Sequence, residues 1–331
     1  MRDPPIAWLA DRVSRRLLIA SGLVGVALSA MAVGIAQSYH QLVALLIVMG
    51  LLGASYHAPA SSLLSSVFDR RERGRSLGLH IVGGSASFLI TPVLAGAVAS
   101  LASWNWAFIV LSLPALLTAV ALSVVTREPE AVAVKAMANQ AAESLPMTAI
   151  ARALGGLLLA AVLAQVVGSS FTSFLPLFLA DVHRVDPALA GAFAGVAIGT
   201  GVVGAPIGGA LSDRLGRKPV ILVSLGSAGP LIYLVAVAGY GPVLFAAMAA
   251  YGILMSVRMA PIESLIADVV PLNRRATVLG IYQFVGQETA GLATPLVGKL
   301  IDVVGAHSAF MLMAVVAVML SALALLLRRR M

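Results

Sequence analysis

The 331-residue chain contains no cysteine, which excludes disulfide bonds and metal sites built on thiolates. Its five histidines are scattered, and no HExxH pair is present to hold zinc in the manner of a metalloprotease. The GxxxxGK[ST] loop is also missing, so the chain has no P-loop with which to drive transport by ATP. We therefore predict no metal, no cofactor and no catalytic residues, and we do not expect an enzyme.

Charged residues are also scarce. They make up 11% of the chain, against about 25% in soluble domains, while apolar residues make up 60% and the mean hydropathy is +0.99. So little polar surface cannot cover a water-soluble globule, and the chain is therefore predicted to be integral to a membrane. The net charge of +8 does not indicate nucleic acid, because the basic residues lie in short clusters between long apolar runs.

Ten apolar runs are long enough to cross a bilayer, which takes about 20 residues of helix. They must be helical, because lipid cannot satisfy an open backbone. The runs are 17–36, 41–67, 77–100, 104–126, 153–180, 188–210, 219–238, 242–267, 276–300 and 306–327. A polar segment, 127–152, follows the fourth run and is predicted to be a cytoplasmic linker. The predicted domains are thus an N-terminal half, 1–126, and a C-terminal half, 153–331.

The basic residues predict the orientation. If the segment before residue 17 is cytoplasmic, all but three of the 22 Lys and Arg residues lie on the cytoplasmic side, the exceptions being Arg184, Arg258 and Lys299. Both termini of this chain are therefore predicted to be cytoplasmic, and we expect the membrane to be a bacterial inner (plasma) membrane.

The chain repeats itself at a shift of 202 residues. Without a gap, Asp11, Arg12, Arg15 and Arg16 fall on Asp213, Arg214, Arg217 and Lys218. Internal repeats are typical of secondary transporters, whose substrates bind near the midplane between the halves. Two spans precede this segment in the second half and none in the first. We therefore expect two further spans upstream in the native gene, the alternative being a true ten-span protein.

Residues 209–218, GALSDRLGRK, resemble the G-x-L-x-D-R-x-G-R-K/R signature of the major facilitator superfamily. In that family the motif joins spans 2 to 3 and 8 to 9, and here it occurs at both places, although Ala7 and Ser14 replace the glycines of the first copy. The resemblance covers the whole chain as spans 3 to 12 of twelve. It implies an all-α polytopic membrane bundle of two pseudo-symmetric halves, with the first two spans missing.

The same resemblance implies a cytoplasmic gate. Its members are Asp11, Arg12, Arg15, Arg16, Gly209, Asp213, Arg214, Gly216, Arg217 and Lys218. In the family the aspartate meets the positive N-terminal end of a neighbouring helix. The alternative is a basic loop that only sets the topology.

Two further patterns consist of small residues. Residues 91–96, TPVLAG, resemble part of an antiporter signature in which Gly78, Pro92 and Gly96 match but three glycines are replaced, so close helix packing is the favoured interpretation. Residues 199–204 match G-x-G-x-x-G inside an apolar run, where no dinucleotide loop is expected. Gly204 and Gly208, with Gly195 and Gly199, predict helix packing instead.

Polar residues at membrane depth are the candidate cavity residues, since an ionisable group at mid-bilayer costs about 2.5–3.5 kcal/mol. They are Tyr56, His57, His80, Gln165, Arg258, Glu263, Gln283, Gln287 and Glu288. The resemblance places all of them on spans that line or flank a substrate cavity. Structural alternatives are an Arg258–Glu288 ion pair and interhelical hydrogen bonds from Gln283 and Gln287.

The predicted function is alternating-access transport of a small solute, by a monomer coupled to a proton or another ion. Arginine cannot lose its charge, so Arg258 suits an organic anion, and Glu288 or Glu263 suits the coupled proton. The first alternative is efflux of a lipophilic or cationic drug with Glu288 as counter-charge. The second is a membrane remnant that does not transport. The expected partners are substrate, coupling ion and lipid bilayer, not nucleic acid.

Overall fold

The computed structural model describes residues 15–125 and 147–327, which form helices and no strand. In chain order these are α1 (Arg15–Gly34), α2 (Tyr39–Val67), α3 (Arg73–Leu101), α4 (Trp104–Val125), α5 (Met147–His183), α6 (Pro187–Gly199), α7 (Gly201–Leu215), α8 (Arg217–Val237), α9 (Pro242–Val257), α10 (Met259–Val269), α11 (Leu272–Val304) and α12 (Ala306–Leu327).

Helices cover nearly all described residues of each of the ten predicted runs. Among the described residues, seven stretches are long and apolar enough to cross a membrane by length and composition. Two predicted runs were wrong in one respect, because 188–210 is divided between α6 and α7, and 242–267 between α9 and α10. Helix α5 begins at Met147, inside the segment predicted as a linker, and 126–146 lies outside the described residues.

Polar residues stand at both helix breaks. Thr200 separates α6 from α7, and its hydroxyl donates a hydrogen bond to the carbonyl of Ala249 in α9 at 3.0 Å. Arg258 separates α9 from α10, and its backbone N–H donates a hydrogen bond to the carbonyl of Ser256. The breaks free backbone groups that only neighbouring helices can satisfy in lipid, which explains why they occur where helices pack closely.

The described residues form two compact units. The first comprises residues 15–68, 89–125 and 270–281, and in it α1 packs against α2 and α4. The side-chain amide of Asn105 donates to the carbonyl of Gly34 at 3.0 Å and ties the start of α4 to the end of α1. Arg275 donates to the carbonyl of Ser65 at 3.3 Å.

The second unit comprises residues 69–88, 147–269 and 282–327. Within it α8 packs against α9 and α12, and α7 packs against α9. The rings of Phe171, Phe178 and Phe310 are fully buried at its centre, with Phe178 and Phe310 stacked at 4.2 Å. The predicted division at 127–152 stays a prediction.

Candidate functional site

Asp213 caps the N-terminus of α3. Its two carboxylate oxygens accept hydrogen bonds from the backbone N–H groups of Gly74, at 3.0 Å, and Arg75, at 2.8 Å. These amides belong to the first turn of the helix and have no acceptor inside it. The carboxylate therefore satisfies two donors at the positive end of the helix, which is the contact that the family resemblance implied for this aspartate.

Arg217 and Asp268 extend this contact into a charge cluster, defined here as Asp213, Arg217, Asp268 and Arg73. Arg217 stands four residues after Asp213, at the start of α8, and forms an ion pair with it, and its Nε lies 3.4 Å from Asp268. Arg73 pairs with the other oxygen of Asp268. The cluster thus joins α3, α7, α8 and α10.

The cluster is largely shielded from solvent. The side chains of Asp213, Arg217 and Asp268 are only 6–7% exposed. Burial lowers the pKa of the Arg73 guanidinium, and the neighbouring Asp268 carboxylate acts in the opposite direction. Ion pairs with little exposure are weakly screened, so breaking them one partner at a time is costly.

Glycines allow the helices of the cluster to approach each other. A Cβ on Gly209 would lie 2.1 Å from the carbonyl oxygen of Gly74, and a Cβ on Gly74 would lie 2.7 Å from an Asp213 oxygen. Gly216 has a φ of 93° between α7 and α8, a conformation that other residues rarely adopt. The glycines of the motif are thus required by backbone geometry.

The remaining members of the predicted gate are less informative. Arg214 is exposed, and Lys218 is partly exposed. Asp11 and Arg12 lie outside the described residues, and of Arg15 and Arg16 only the helical backbone at the start of α1 is described. The gating role of the whole motif stays a proposal.

Arg258 is the most deeply buried charged residue among those described, with 2% of its surface exposed. One terminal nitrogen donates to the carbonyl of Ala161 at 3.1 Å, and the other donates to Gln165 Oε1 at 3.1 Å and to the sulfur of Met255 at 3.7 Å. All of these acceptors are neutral. No ion pair joins Arg258 to a carboxylate among the described residues, and its buried Nε has no hydrogen-bond partner there.

Two other predicted cavity residues continue the polar contacts from Arg258. Gln165 Nε2 donates to Gln287 Oε1 at 3.5 Å, which connects α5 to α11. Gln283, one turn before Gln287, donates to Glu263 Oε1 at 3.2 Å, and Glu263 is 9% exposed. The structure therefore brings five predicted residues from three parts of the sequence into two hydrogen-bonded groups in one unit.

The other predicted cavity residues do not join these groups. Glu288 is exposed on α11 and forms no ion pair with Arg258, so the structural alternative that paired them was wrong. Tyr56 and His57, on α2 of the first unit, contact each other edge to face at 5.2 Å. His80 is partly exposed on α3.

Sequence reasoning missed Asp268 and Arg73 as site residues. Asp268 is the only acidic residue in α10 besides Glu263, and it stands near the end of a span, where a charge needs no functional explanation. No local pattern links it to Asp213, 55 residues earlier, or to Arg73, 195 residues earlier. No group of three or more His, Asp or Glu residues that could hold a metal occurs in the described ranges.

Comparison with known proteins gives matches in sequence and matches in structure. The sequence profile of the Major Facilitator Superfamily matches residues 3–229 and, again, 157–331. Among curated proteins, the Multidrug resistance protein MdtG of Enterobacter lignolyticus is 27% identical over 224 residues, which cover 66% of this chain and 52% of the relative. MdtG of Proteus mirabilis is 25% identical over 221 residues, 66% of this chain and 55% of the relative. The chain thus spans about half the length of these relatives.

Solved structures resemble the chain over nearly all of its length. The human organic anion transporter MFSD10 (TETRAN) has a TM-score of 0.78 at 17% identity and covers 96% of this chain and 79% of its own. The E. coli Fucose:proton symporter FucP has a TM-score of 0.72 at 16% identity, with 97% and 86% covered. At such identities the likeness extends to the fold alone.

Proposed function

We propose that this chain, which belongs to the major facilitator superfamily, carries a small organic anion across the membrane by alternating access. In this proposal Arg258 binds the anion. The observation that carries this proposal is the environment of Arg258. It is a buried cation whose hydrogen bonds all go to neutral acceptors. A buried charge without a counter-ion is unfavourable, and an anionic substrate would supply that counter-ion.

The position of Arg258 also suits a binding site that has to change shape. It occupies the break between α9 and α10, and broken helices form the substrate sites of many transporters. Its partner Gln165 belongs to α5 and bonds in turn to Gln287 of α11. A carboxylate or sulfonate entering here would replace Gln165 as the acceptor for Arg258. The movement of the Gln165 side chain would then change contacts of α5, which carries it, and of α11, to which it bonds through Gln287.

The charge cluster serves, in this proposal, as the latch of one conformation. It holds the N-terminus of α3 against α7 through hydrogen bonds that form only when the two helices are in contact. Alternating access requires such a contact to form and break in each cycle. Glu263 is the proposed carrier of the coupled proton, because it is a buried carboxyl group that accepts a hydrogen bond from Gln283, another predicted cavity residue.

A second candidate is efflux of a lipophilic cation. It is favoured by the name of the MdtG relatives, Multidrug resistance protein, whereas the first candidate rests on the environment of Arg258. Glu288 would then be the counter-charge, because its side chain is exposed on α11 and forms no ion pair among the described residues. The two candidates differ in the sign of the substrate and in the residue that binds it.

Binding to the purified 331-residue chain distinguishes the candidates. The probes are benzoate, an organic anion, and tetraphenylphosphonium, a lipophilic cation, and the readout is the shift in melting temperature as each probe is titrated. Loss of hydrogen bonds to a charged group costs about 1.5–3 kcal/mol, so Arg258→Ala should weaken benzoate binding by about 10- to 150-fold. Arg258→Lys should recover part of this, because lysine lacks the planar fork. Arg152→Ala, at an exposed arginine of α5, is the matched control.

Three outcomes are informative. Benzoate binding that depends on Arg258, followed by benzoate counterflow in proteoliposomes, supports the anion transporter. Stabilisation by tetraphenylphosphonium that is lost in Glu288→Gln supports efflux and rejects the anion proposal. Binding without counterflow indicates a chain that binds its ligand but does not transport it.

A further inference from the structure

Ser264, in the middle of α10, is fully buried, and its hydroxyl has no hydrogen-bond partner among the described residues. A serine inside a helix can avoid this by donating to a carbonyl three or four residues earlier. Buried serines of this chain that do so are Ser29, Ser65, Ser112 and Ser212. An unsatisfied buried hydroxyl is unfavourable, and an alanine at position 264 would have avoided it, so packing alone does not explain the serine.

The nearest charged group along this face of α10 is Asp268, one helical turn after Ser264. Side chains four residues apart lie on the same side of a helix, with Cβ atoms about 5–6 Å apart. Helical side chains also lean toward the N-terminus, which brings a carboxylate at position 268 within reach of a hydroxyl at position 264. In the structure the two groups are not bonded, because the Asp268 oxygens pair with Arg73 and Arg217 of the charge cluster.

Opening of the charge cluster changes what Asp268 requires. Its side chain is only 6% exposed, and a carboxylate so enclosed is strongly destabilised when its cations leave. A hydroxyl one turn away offers a charge-assisted hydrogen bond, which is about twice as strong as one between neutral groups. The helix can adjust to form this bond, because it begins at the break at Arg258 and contains Pro261, which lacks a backbone N–H.

We propose that Ser264 is the alternative partner of Asp268: its hydroxyl donates to the carboxylate when the charge cluster opens. The inference rests on the latch role proposed for the cluster. Ser264 acts through Asp268 and is therefore a positioning residue of the gate. Its hydroxyl is unsatisfied in the closed state and bonded in the open state, and both differences favour opening. A cluster of buried ion pairs thus remains able to open in each cycle.

The first half of the repeat contains a matched control. At the shift of 202 residues, Ser62 corresponds to Ser264, and each follows a proline by three residues. Ser62 is also fully buried, with a hydroxyl that has no partner among the described residues. One turn later stands Ser66, whose hydroxyl donates to its own helix at 2.6 Å, and not a carboxylate. Ser62 therefore shares the burial and the unused hydroxyl of Ser264 but lacks the charged acceptor.

The test measures how often the cluster opens, by hydrogen–deuterium exchange of the full chain in lipid nanodiscs. The reporters are the amides of Gly74 and Arg75, which bond to a carboxylate of the cluster and exchange when it opens. Ser264→Ala should slow their exchange about 10- to 150-fold, because the open state loses a hydrogen bond to a charged group. The amide of Ser76, whose acceptor is a backbone carbonyl, reports fraying of α3 and should not change.

Two further variants assign the effect to the bond between Ser264 and Asp268. Ser62→Ala should leave the exchange of Gly74 and Arg75 within a few-fold of the wild type. In the Asp268→Asn background, the slowing caused by Ser264→Ala should be about five- to tenfold smaller, because a hydrogen bond to a neutral amide is weaker than one to a carboxylate.

Three results would overturn the proposal. Unchanged exchange at Gly74 and Arg75 in Ser264→Ala would show that the hydroxyl is bonded alike in both states. Faster exchange would show that it stabilises the closed state. An equal effect of Ser264→Ala with and without Asp268→Asn would exclude Asp268 as the acceptor. None of these results contradicts the latch, which is tested by Asp213→Asn, or the anion site, which is tested by benzoate.

Discussion

The contact between Asp213 and the first turn of α3 can be tested without knowing the substrate. The N–H groups of Gly74 and Arg75 have no acceptor within their own helix, so their protection from hydrogen exchange depends on the Asp213 carboxylate. The next amide, that of Ser76, bonds instead to the backbone carbonyl of Glu72 at 3.0 Å. Adjacent amides thus report separately on the cluster and on the helix.

For the substitution Asp213→Asn, the expected increase in the exchange rates of the Gly74 and Arg75 amides follows from the hydrogen bonds that are lost. Two hydrogen bonds to a carboxylate contribute at least about 3 kcal/mol, and a neutral amide that keeps one acceptor recovers about 1 kcal/mol of it. The net loss of about 2 kcal/mol corresponds to roughly 30-fold faster exchange at Gly74 and Arg75. The exchange rate of Ser76 should stay within a few-fold, because its acceptor is unchanged.

The assay is hydrogen–deuterium exchange of the chain in nanodiscs, with fragmentation that resolves single residues. Asp302→Asn is the matched control, because Asp302 is an exposed aspartate near the end of α11. Unchanged exchange at Gly74 and Arg75 in Asp213→Asn would falsify the proposed capping role. If the latch proposal is also correct, the variant should slow counterflow while substrate affinity stays within a few-fold, since Asp213 does not contact the Arg258 site.

Three further expectations follow from the packing and the charges. Gly208→Ala should lower the melting temperature, because its Cβ would lie 2.0 Å from the carbonyl oxygen of Val257. The control Gly195→Ala, with open space around the added Cβ, should not lower it. Equal melting temperatures of the two variants would contradict the packing of α7 on α9. The double variant Arg258→Met, Glu288→Met should melt no higher than Arg258→Met alone, because no ion pair joins the two residues, and a clear recovery in expression or melting would argue against this. Alkaline phosphatase fused after Met331 should be inactive if the C-terminus is cytoplasmic, and periplasmic activity would reverse the predicted orientation.

Helix positions were predictable because span length is set by the bilayer and not by tertiary contacts. An apolar run of about 20 residues has one stable form in lipid, so all ten runs could be located from hydropathy alone. The breaks at Thr200 and Arg258 could not be located. Glycines flank Thr200 and Pro261 follows Arg258, but glycine and proline are also common inside membrane helices and do not by themselves locate a break. The breaks depend on contacts with a neighbouring helix, as the bond from Thr200 to Ala249 illustrates.

The family and its motif were likewise evident from local sequence, since Asp213, Arg217 and the intervening Gly216 form one continuous segment. Their partners were not evident. Asp268 and Arg73 reach this segment only because α10 and α3 pack beside it, and nothing in the spacing of 55 or 195 residues encodes that proximity.

The same distinction holds for the buried polar residues. The sequence predicts that Arg258, Glu263 and Glu288 all lie at membrane depth, because depth follows from position along a span of known rise. Tertiary structure decided which of them are buried and what they contact: Arg258 meets Gln165, Glu263 meets Gln283, and Glu288 stays exposed. Depth is a property of one helix, whereas a hydrogen bond between helices depends on how each is rotated, and a single sequence does not specify that rotation.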